Sequence, residues 1–128
     1  MPRRIYPTIQ ETIETQKLLI EEFGGPHGIR DRSPLESAVF RPRSGYYGNI
    51  FEEANALMGS LSNNQAFFDD RKRTSWAMTD SFLRVNGYFI DVDPFEAYRF
   101  MKAAISRHEF RSAEPLEWIS ANAKEIGA

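Results

Sequence analysis

Three cations stand in a row at Arg71-Lys72-Arg73, directly after two carboxylates, Asp69 and Asp70, and directly before Thr74. Ala77, Met78, Phe82 and Val85 follow at helical spacing, which predicts a helix from about 71 to 86 with the basic run in its first turn. A helix start offers free backbone N–H groups and the positive end of the helix dipole. Acidic residues suit that turn, and three cations do not, unless an anion lies in front of it. A phosphate would accept from the N–H groups and the basic side chains together. Asp69 has the hard oxygen chemistry to hold a magnesium ion that bridges phosphate oxygens. A plainer reading also fits these residues: Asp69 or Asp70 as the N-cap, and the cations as a solvated face.

The rest of the chain must position that turn. Its 128 residues suit one domain, 1–128, able to bury a core without staples. There is no cysteine, so disulfides and thiolate metal sites are excluded and a reducing, cytoplasmic compartment is the natural expectation. No apolar run approaches a membrane span, and the basic N-terminus lacks the apolar stretch of a signal peptide. A net charge of −2 gives no general attraction to nucleic acid.

Thr8 and Glu11 form a capping box before Ile9, Ile13, Ile20 and Phe23, and Gly24-Gly25-Pro26 stops that first helix. Ser33-Pro34-Leu35-Glu36 reads as the N-cap and first turn of a second helix, closed by Pro42. Residues 41–49 form an irregular loop carrying Tyr46 and Tyr47. A third helix spans about 50–63, and 64–70 is a loop. Asn86-Gly87 stops the fourth helix, and Tyr88-Phe89-Ile90 is a short extended piece. Asp93 caps a fifth helix with Ala97, Phe100, Met101, Ala104 and Ile105. Glu114-Pro115 opens a sixth, with Leu116, Ile119, Ala123 and Ile126 on one side. The expectation is an all-α, compact six-helix bundle.

The segment Asn63-Asn64-Gln65-Ala66-Phe67-Phe68-Asp69-Asp70-Arg71-Lys72-Arg73-Thr74 resembles the signature of the Fic/Doc superfamily, His-x-Phe-x-(Asp/Glu)-Gly-Asn-x-Arg. Asn64, Phe67, Asp69, Lys72, Arg73 and Thr74 match the Doc-type form in register. Ile20–Gly25, Gly28–Asp31, Leu35–Ala38, Arg41-Pro42 and Phe82–Tyr88 also resemble Doc-type sequences, so the likeness spreads over roughly residues 18–100. The resemblance implies a compact helical Fic/Doc fold whose loop binds ATP with Mg2+. It implies Asp69 as the metal ligand, with Asp70, Arg71, Lys72, Arg73 and Thr74 around the phosphates. Arg73 offsets transition-state charge, Phe67 anchors the loop, and 41–49 lies where the family has its target-docking flap. Doc-type toxins resemble kinases that phosphorylate elongation factor Tu, and they pair with a Phd-like antitoxin. AMP transfer is the activity of many other Fic proteins.

Three motif positions depart. Gln65 stands where the family has its catalytic histidine; its neutral amide can hydrogen-bond a hydroxyl but cannot accept its proton near pH 7. Asp70 replaces a glycine or alanine, putting negative charge beside the anion, and Arg71 replaces an asparagine. His27 and His108, the only histidines, have no sequence reason to reach the site. The alternatives are therefore an impaired Doc-like transferase and a binding module that keeps antitoxin or nucleotide binding without catalysis.

Overall fold

A computed structural model describes residues 4–23, 32–45, 47–62, 71–93, 95–97, 99–100, 103 and 114–127. The first helix, α1 (Ile9–Phe23), starts at the predicted capping box. Glu11 N–H donates to Thr8 Oγ1 at 3.1 Å, and that hydroxyl donates to Glu11 Oε1 at 3.0 Å. Helix α2 (Arg32–Phe40) buries Leu35, Ala38 and Val39. It begins at Arg32, so Ser33 lies inside the helix and not at its N-cap; the single-residue offset is the usual ambiguity of a helix end. A 3-10 turn (Arg41–Arg43) with buried Pro42 follows.

Helix α3 (Ile50–Ser62) is the hub, packed against α2, the 3-10 turn, α4 (Arg71–Val85) and the later α5 (Glu114–Asn122). Its start carries a capping box of its own, built from Asn49 and Glu52. Glu52 N–H donates to Asn49 Oδ1 at 3.0 Å, and Asn49 N–H donates to Glu52 Oε2 at 3.1 Å. Ala54, Leu57, Met58 and Leu61 of α3 meet Met78, Phe82 and Leu83 of α4 in the core, with Ile90 and Ile119 beside them. The residues described between 95 and 103 are helical. Asp93 caps them as expected, its carboxylate accepting from Phe95 N–H at 2.8 Å.

Two expectations fail. The last helix ends at Asn122, and Ala123 belongs to a strand, β2 (Ala123–Glu125), antiparallel to β1 (Tyr88–Ile90), while Ile126 lies beyond it, half exposed. Asn122 makes the break: its side-chain amide donates to the carbonyl of Trp118 at 2.8 Å, while its own carbonyl accepts from Asp91 N–H at 2.8 Å. Asn86 ends α4 in the same way, donating to Phe82 O at 2.8 Å just before β1. Val85, expected to point inward, is 55% exposed because it sits in the last turn, beyond the end of the core.

Gly87 completes the stop after α4 with φ +95°, and a Cβ there would meet no atom within 4 Å. Gly87→Ala should thus reveal backbone strain alone. A loss of about 1 kcal/mol in urea unfolding is expected.

Candidate functional site

The start of α4 lies where the motif requires a helix N-terminus. The helix begins at Arg71 and has no acidic residue in its first turn. Gln65, Phe67, Asp69 and Asp70 lie outside the described residues, as do the side chains of Arg71 and Lys72 and both histidines. Of the predicted phosphate-binding residues, two are described with their side chains. Arg73 is half-buried and partnered. Thr74 is fully buried, and its hydroxyl has no hydrogen-bond partner among the described residues.

The donor chemistry fits a phosphate chain: a long helix opens with its N–H groups unopposed by any acidic first-turn side chain. Among the described residues no group of three His, Cys, Asp or Glu side chains converges as a metal site would require.

Behind the helix, buried face residues Thr74, Ser75, Met78, Thr79, Phe82 and Leu83 repeat at helical spacing. An N-terminal strap, residues 4–8, ties α3 to α4. Ile5 N–H donates to Asn86 Oδ1 and Asn86 Nδ2 donates to Ile5 O, both at 2.8 Å. Tyr6 stacks on Phe82 with centroids 5.8 Å apart. Its hydroxyl donates to the buried carboxylate of Glu53, which Arg4 also reaches at 2.9 Å. Burial pushes the Tyr6 phenol above its ordinary value near 10; the hydrogen bond to Glu53 and the Glu53 charge add to this, and Arg4 and Arg43 oppose it. A raised phenol pKa favours the folded state below the ordinary phenol range, and that contribution fades as pH climbs past it.

In the loop proposed as a docking flap, Tyr46 lies outside the described residues. Tyr47 is half-buried, and its hydroxyl accepts from Arg41 Nε at 3.0 Å. A cavity of about 640 Å³ lies between the strap, the start of α1 and α2, lined by Pro7, Ile9, Val39, Phe40 and Arg43 among others. It shares no lining residue with α4.

A comparison with curated proteins places 76 residues of this chain at 40% identity with the protein named Toxin Doc of Mycolicibacterium smegmatis. The chain is a relative of that Doc toxin. The aligned stretch covers 56% of this chain and 58% of Doc, so the chain spans less than two thirds of the relative's length. No family model matches. The likeness to Doc and the mostly helical fold agree with what the motif implied. No helix among the described residues is long and apolar enough to cross a membrane.

The residues that sequence reading missed are polar ones inside the core. Glu53, Ser62 and Ser75 are buried where helical periodicity expects apolar side chains. A polar residue at an apolar register position was their one available signal.

Proposed function

We propose that this chain acts as the toxin of a toxin–antitoxin pair, as a Doc-like transferase that moves phosphate from ATP to a hydroxyl of a translation factor, with elongation factor Tu as the expected target and a Phd-like antitoxin as the partner. The 40% identity with Toxin Doc is the observation that carries this reading. The basic first turn of α4 supports it. Asp69 would hold Mg2+, while Lys72 and Arg73 would bind phosphate oxygens. The bound metal would neutralise charge on the phosphates.

Gln65 at the histidine position favours strongly reduced catalysis. That substitution also sustains a second reading, a module that binds antitoxin or nucleotide without turnover. Incubation with labelled ATP and purified elongation factor Tu separates the two. Slow label transfer supports the transferase, and its complete absence together with nucleotide binding supports the module. AMP transfer would leave label from the α-phosphate.

The transferase reading requires nucleotide binding, and so does the nucleotide-binding form of the module. Mg·ATP should raise the melting temperature by several degrees, since a ligand at a hundred times its Kd stabilises the native state by about 2.7 kcal/mol. No shift at millimolar ATP would remove the phosphate site. Arg73→Ala should weaken ATP binding more than Arg71→Ala, because Arg73 holds the family's arginine position and Arg71 replaces an asparagine. Equal losses in a titration would contradict the assignment.

A further inference from the structure

Two serine hydroxyls meet in the core at 2.7 Å, one from the end of α3 and one from the second turn of α4. Ser62 is the last residue of α3, and Ser75 follows it by 13 positions. Between them runs the segment that carries the motif. Ser75 Oγ also donates to the main-chain carbonyl of Met58 at 2.8 Å. A hydroxyl has one proton, so with Ser75's committed to Met58, Ser62 is the donor in the serine pair. One turn along α4, Thr79 Oγ1 donates to Ser75 O at 2.8 Å. Ser62, Ser75 and Thr79 are all essentially inaccessible to solvent. The side-chain donors therefore run in one direction, from Ser62 to Ser75 to the Met58 carbonyl, away from solvent.

We propose that Ser62 and Ser75 are positioning residues: a buried hydroxyl bolt, closed onto the Met58 carbonyl, that fixes where the motif segment leaves α3 and where it enters α4. Apolar contacts between two helices tolerate sliding, because they have no direction. A hydrogen bond from a side chain to a specific helical carbonyl does not. The bolt sits at the loop-proximal end of the α3–α4 interface, and the Asn86–Ile5 pair holds the other end of α4. Helix α4 is thus pinned at both ends, with the apolar core between. Neither serine contacts nucleotide in this account; they act by holding the first turn of α4 in place. The link to ATP rests on the function proposed above. The pinning of α4 does not.

The test uses the full chain and four variants: Ser62→Ala, Ser75→Ala, the two combined and, as a control of similar stability loss, Ile119→Val on α5. Amide hydrogen exchange is read at residues 75–78, next to the loop, and at 82–85, at the far end of the same helix. Ser75→Ala should speed exchange at 75–78 roughly tenfold relative to 82–85, as expected when a buried hydrogen bond is lost and its former donor is orphaned. Ile119→Val should raise both regions equally. Mg·ATP affinity should fall roughly tenfold in Ser75→Ala and stay unchanged in the control. The effect of Ser62→Ala should largely vanish when Ser75 is already alanine, since the two share one interaction. An even rise in exchange along α4, or additive effects in the double variant, would overturn the bolt. Failure of the unsubstituted chain to bind Mg·ATP would instead remove the nucleotide reading, and the exchange ratio alone would then decide the proposal.

Discussion

Rebuilding the family's loop chemistry by Gln65→His, Asp70→Gly and Arg71→Asn should raise label transfer to elongation factor Tu by about 10²–10⁴ and arrest bacterial growth on induction. The size follows from the general base. A hydroxyl attacking a phosphate must lose its proton, and imidazole accepts one near neutral pH while an amide does not. Asp70→Gly removes a negative charge beside the phosphates and allows the backbone to approach them. Arg71→Asn removes the cation that offsets Asp70, so it is expected to help only once Asp70 is gone. Gln65→His alone should recover part of the rate. Unchanged transfer and growth after the triple change would show that the scaffold has lost the activity, not the loop alone.

Phe82→Ala should be the most damaging single change to the fold, lowering stability by about 3–5 kcal/mol and the melting temperature by roughly 10–20 °C. Phe82 is among the largest fully buried side chains and lies between α3 and the strap. Its removal leaves a cavity and takes away the ring on which Tyr6 stacks. The comparison residue lies on the same helix. Val85→Ala, at an exposed position, should change stability by no more than about 0.5 kcal/mol. Urea midpoints for both variants check the contrast. A loss below about 1 kcal/mol at Phe82 would mean that the core is not built around it.

Much of this architecture is legible in short stretches of sequence. Thr8 with Glu11, Asp93 before Phe95, and Asn86-Gly87 are local signals, and each acts on backbone groups within a few residues. The helices they bound therefore fall where the spacing puts them. The likeness to the motif is also contiguous, and of it the structure describes the helix start at Arg71. What failed depends on partners far along the chain. Ala123 and Ile126 continue the helical spacing of Ile119, and only pairing with residues 88–90 makes residues 123–125 a strand. Ser62, Ser75 and Glu53 look like interruptions of an apolar face until Met58 O, Arg4 and Tyr6 are known to face them. Gln65 lies outside the described residues and is read from sequence alone; the burial of the Thr74 hydroxyl, with no partner among the described residues, shows only in the fold.

The strap also sets an order of events during synthesis. Residues 4–6 emerge from the ribosome before their partners: Ile5 must wait for Asn86, 81 positions later, and Tyr6 for Glu53, 47 positions later. Closing contacts so distant in sequence is slow. A nascent chain therefore carries its strap unengaged until Asn86 has been made, and only then can the strap knit α3 to the end of α4.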